Sequence, residues 1–154
     1  MPVTDDQVAA LRAFLSDDID LHRRLFADLD RAGAKKGCTA LITAAFAEAV
    51  QRRWASCPRP ADVVTFIDAL RACSARVAEA VDPEIAEWLI RVVYQDVPTR
   101  GNFARAAIMS AQVLLLAGLI ADARLDPADL DEFLAAARKL ADQLMSRSES
   151  QRCR

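Results

Sequence analysis

Between Arg105 and Asp122 the chain runs AAIMSAQVLLLAGLIA without a charged residue. Such a segment has three roles open to it: membrane span, buried helix, or wall of a binding site. A bilayer span needs about 20 predominantly apolar residues. This run is shorter, is bounded by charges, and carries Ser110 and Gln112. Placed at about 100° per residue, Ala107, Ser110, Ala111, Gly118 and Ala121 share one side with Leu114. Ile108, Met109, Val113, Leu115, Leu116, Leu119 and Ile120 cover the other. Small residues let a neighbouring helix approach closely and bulky ones fill a core. The expectation is a central helix from about Phe103 to Arg124, the most buried of a bundle, with no membrane role.

Gln112 falls within the bulky face, on the same side as Arg105 one heptad earlier. A buried amide needs hydrogen-bond partners. Bonded to a backbone carbonyl it is structural, whereas facing an apolar cavity it would anchor a ligand. Gln112 and Arg105 are therefore the candidate ligand-binding residues.

The remainder of the chain predicts helices as well. Its 154 residues match one ordinary domain, and with 53% hydrophobic but only 6% aromatic residues the core must be built from small and aliphatic side chains. Thr4 and Gln7 are spaced as a capping box ahead of Val8, Leu11 and Leu15, and Leu21, Leu25, Phe26 and Leu29 carry a second helix towards Gly33. Ile42, Phe46, Val50 and Trp54 form an i, i+4 ladder. After the loop SCPRPAD, Val63, Ile67, Leu70, Ser74, Val77 and Val81 read as one helical seam. Asp82-Pro83 and Asp126-Pro127 are helix starts with proline at the first position. The last helix carries Leu130, Phe133, Ala137, Leu140 and Leu144 on a heptad-like seam. The fold class expected is all-α, a single-domain compact bundle of six or seven helices over residues 1–146, with 147–154 as a polar disordered tail.

Several functions are disfavoured by what the residues lack. A net charge of −2 argues against a nucleic-acid partner, which calls for a basic face. Cys38, Cys57, Cys73 and Cys153 contain no C-x-x-C pair and His22 is the lone histidine, so neither a metal site nor a cofactor is spelled out. GAKKGCT has Cys38 where a phosphate-binding loop needs lysine. Asp17, Asp18 and Asp20 lack the glycine and terminal glutamate of a calcium loop. The opening MPVTDDQ has no signal-peptide pattern, so we expect a cytoplasmic protein with reduced thiols.

Two further features remain as candidates. Asp18 stands one turn before His22 on an otherwise apolar helix face, a polar pair suited to a proton switch or to orienting an imidazole. Leu140 and Leu144 stand where the last seam runs towards the polar tail, which suits an interface. The function expected from these residues is a helical protein-interaction or regulatory module, with a second copy of the chain among its candidate partners and no catalytic activity inferred. The alternative is a small-ligand sensor with an apolar pocket at Gln112, followed by an enzyme using His22.

Overall fold

Thr4 starts the first helix through the reciprocal capping box that its spacing to Gln7 predicts. In the computed structural model, which describes residues 2–16, 24, 35–94 and 103–153, the Gln7 N–H donates to Thr4 Oγ1 at 3.3 Å. The Thr4 N–H donates to Gln7 Oε1 at 2.9 Å. Among the described residues the chain is all-α, with helices α1 (Asp5–Leu15), α2 (Lys35–Arg53), α3 (Pro60–Arg71), α4 (Ala75–Ala80), α5 (Pro83–Val93), α6 (Arg105–Ala123) and α7 (Pro127–Arg152). Both Asp-Pro starts are as expected. Asp82 accepts from the Glu84 and Ile85 N–H groups and Asp126 from that of Asp129, each satisfying donors that a first helical turn leaves free.

The chain divides into two compact units, Met1–Glu48 with Arg124–Arg154, and Ala49–Ala123. In the first, α1 packs on α7, and Leu11, Leu41, Phe46, Phe133 and Leu134 are buried. Here Gly37 has a steric reason: a Cβ at that position would stand 2.8 Å from Cδ of the buried Gln7 side chain. Gly37 and Cys38 of the GAKKGCT segment lie within α2.

In the second unit α5 packs on α3 and α6, and α4 on α3 and α6. Val63 to Val81 is two helices, not one seam. Ala72, Cys73 and Ser74 break it, and the Ser74 hydroxyl caps α4 by accepting from the Val77 N–H at 3.1 Å. A serine competes for backbone donors, so it favours a new helix start over the interior of a long one.

Helix α6 is 19 residues long, and its mean hydropathy of 1.8 makes it long and apolar enough to cross a membrane. Length alone therefore does not separate span from core. One face is packed: Ala111, Gln112, Leu115, Leu116, Leu119 and Ile120 are buried, and the helix lies against α4 and α5. Leu115, Leu116, Leu119 and Ile120 of the predicted bulky face are buried, joined by Ala111 from the small-residue side, whereas Ile108, Met109 and Val113 are half-buried. Ser110 and Ala121 on the small-residue side are exposed, and Ala104 to Ala106 are exposed as well. Directly after α6, Arg124 adopts φ 51°, a left-handed conformation that costs a residue with a Cβ more than it costs glycine.

Candidate functional site

The described residues place the strongest surface feature on α7. Its first half is core: Leu130, Phe133, Leu134, Ala137 and Ala141 are buried at spacings of three and four. Past Ala141 the inward face thins out. Leu140, Leu144 and Met145 are half-buried, and every described residue from Ser146 onward is exposed although the helix continues to Arg152.

The middle of α7 is held by the chain's N-terminal arm. The Val3 side chain is buried, its N–H donates to Asp142 Oδ1 at 2.7 Å, and its carbonyl accepts from Arg138 Nη2 at 2.7 Å. Arg138 also pairs with Asp5 at 2.5 Å, and Arg12 with Asp131 at 2.7 Å. Two side chains one turn apart on α7 thus bind both backbone polar groups of one residue, Val3. Beyond this clasp a shallow, open groove of about 540 Å³ has Lys139, Asp142, Gln143, Ser146 and Arg147 of α7 among its lining residues. Asp142 belongs to both groove and clasp.

No family model, curated protein or solved structure matches this chain.

Of the residues singled out by sequence, Leu140 and Leu144 lie together at the edge of the α7 core. Gln112 is 6% exposed among the leucines of α6. Arg105, at the exposed start of the helix, is not brought into a shared enclosure with it. Asp18 and His22 lie outside the described residues. Among those that are described, no group of three or more His, Cys, Asp or Glu side chains converges as a metal site. The cysteines are free thiols, and burial pushes the thiol of half-buried Cys38 up.

Sequence reasoning missed two arrangements. Nothing in an isolated Val3 announces a buried plug, and Arg138 with Asp142 reads as an ordinary solvated pair at i, i+4. The second lies in the other unit, where the Tyr94 hydroxyl donates to the main-chain carbonyls of Trp54 and Val50 at the end of α2. Beside it the Arg53 guanidinium lies over the rings of Phe66 (4.9 Å) and Trp54 (5.4 Å) and pairs with Asp122 at 3.2 Å. Burial, then the negative charge of an ionised Cys57, push the Tyr94 phenol above its ordinary range. The charged partners are satisfied and the hydroxyl is committed, so this cluster is a helix terminus held shut.

Proposed function

We propose that this protein is a cytoplasmic helical interaction module that docks a protein partner on the distal half of α7. The observation that carries the reading is the mismatch along one helix. Leu140, Leu144 and Met145 keep the apolar spacing of the seam while losing the cover that encloses Phe133 and Ala137. Apolar side chains part-covered at the end of an extended helix suit a partner helix that completes the seam by groove packing. A second copy of the chain is one such partner, since closed two-fold pairing needs only one self-complementary patch.

Replacing Leu140 and Leu144 together by glutamine tests this. The variant is expected to keep the wild-type circular dichroism spectrum and to lose partner or self-association in sedimentation velocity. Unfolding of the double variant would place both side chains in the core and remove the docking surface.

A second reading is favoured by Gln112, a polar side chain only 6% exposed on the leucine-rich face of α6. Such a group can orient a small ligand. A thermal-shift screen of small amphiphilic molecules, repeated on Gln112→Leu, separates the cases. A ligand whose stabilisation disappears in the variant would support the sensor.

A further inference from the structure

Ion pairing in the first unit is uneven. Arg12 and Arg138 each have a carboxylate, Asp131 and Asp5. Lys139 and Arg147 on the groove face have none among the described residues. The groove's acid, Asp142, is occupied by the Val3 N–H. The face therefore presents two uncommitted cations eight residues apart, about 12 Å along the helix axis, with Gln143 between them and Leu140 and Leu144 on the adjoining row.

We propose that the groove on α7 takes an acidic amphipathic helix of a partner protein, with two carboxylates about two turns apart set against Lys139 and Arg147 and an apolar stripe set on Leu140 and Leu144. This rests on the docking reading above and adds the chemistry of the partner. Complementary charge steers encounter and fixes register, while the apolar row supplies most of the buried contact. The carboxylates belong on the partner because the groove's one acid, Asp142, is engaged by the Val3 N–H and pairs with neither Lys139 nor Arg147, and a basic helix would meet like charge at both ends. A second copy docking through the same face in centred antiparallel register would set Lys139 and Arg147 of one protomer against the same cations of the other, which favours a different protein as the occupant.

The test selects displayed 18-residue helices with a fixed leucine stripe, and with Glu, Gln or Lys varied at the flanking positions, on the immobilised full chain. Enrichment of glutamate at two positions seven or eight apart is expected. Affinity of a selected peptide should fall at least tenfold in Lys139→Glu with Arg147→Glu and should return for the same peptide with both glutamates changed to lysine. Absence of enrichment, or enrichment of neutral or basic peptides, overturns the proposal, as does affinity unchanged by the double reversal. The glutamine pair at Leu140 and Leu144 separates the two levels. Binding lost there but untouched by charge reversal leaves the docking surface standing without its charge rule, and binding untouched by either pair of substitutions removes both. A wild-type dimer dissociated by the leucine pair assigns the face to a second copy and overturns the acidic partner.

Discussion

The hydroxyl of Tyr94 meets the carbonyl oxygen of Trp54, and through it the residue that caps the end of α5 closes the end of α2. Carbonyls at a helix end have no partner within the helix. Tyr94→Phe removes the donor to the Trp54 carbonyl, while the Val50 carbonyl keeps the Trp54 N–H, and is expected to cost about 1–2 kcal/mol. Urea unfolding at pH 7 measures it. The pH dependence has a definite sign. With the phenol held above its ordinary value in the folded chain, the unfolded chain loses its proton first. Stability is therefore full below about pH 10, the unfolded value, and falls as pH rises through that value towards the folded one. Tyr94→Phe should flatten that part of the alkaline limb.

Gly37 and Gly118 look alike in sequence, both being helical glycines, yet their alanine variants should differ in stability. At 118 an added Cβ meets the tip of Leu70 at 2.8 Å, the movable end of a half-buried side chain. The helix gain of roughly 1 kcal/mol for Gly to Ala then offsets the small displacement, and thermal unfolding should change little. At 37 the obstacle is the Gln7 amide, which is buried and already engaged with the Thr4 N–H. Gly37→Ala must displace it and break the capping box, costing about 1–3 kcal/mol.

The arm on α7 predicts an unusual pattern for residues so near a terminus. Val3→Ala removes a fully buried side chain's two methyl groups, worth about 1.5–2 kcal/mol at roughly 0.8 kcal/mol per group. Arg138→Ala leaves the Val3 carbonyl without its donor and Asp5 without its cation. Hydrogen exchange in both variants should rise at Val3 and in the first turn of α1. Exchange unchanged from wild type would show that the arm is held by other contacts.

What the sequence made legible follows the range of the interaction. Thr4 with Gln7, Asp82 with Pro83 and Asp126 with Pro127 are local, and each helix begins where its cap stands. The bulky face of α6 was readable because burial there follows the helical period. Ser74 was local too, but a continuous apolar seam from Val63 to Val81 outweighed it in the reading. The contacts that shape the candidate site run across more than a hundred residues, as between Val3 and Asp142, and no spacing rule reports them. Nor could composition show that Leu140 is half-covered while Ala141 beside it is closed off. Arg124 occupies a left-handed position where a sequence pattern would call for glycine, so the end of α6 carried no signal although the start of α7 did.

The charge-free run gives the last prediction, because core and membrane readings differ in how individual residues on one helix should respond. In a span the apolar residues face similar surroundings, and alanine at Leu116 or at Met109 would cost comparable amounts. In the helix seen here Leu116 is 0% exposed while Met109 is half-buried. Leu116→Ala should therefore leave a cavity and cost about 2–5 kcal/mol. Met109→Ala can be partly filled by solvent and should cost markedly less. Chemical denaturation of both variants in detergent-free buffer measures the difference. Equal shifts would remove the packing argument, and loss of the protein to a detergent-dependent fraction would return α6 to the membrane.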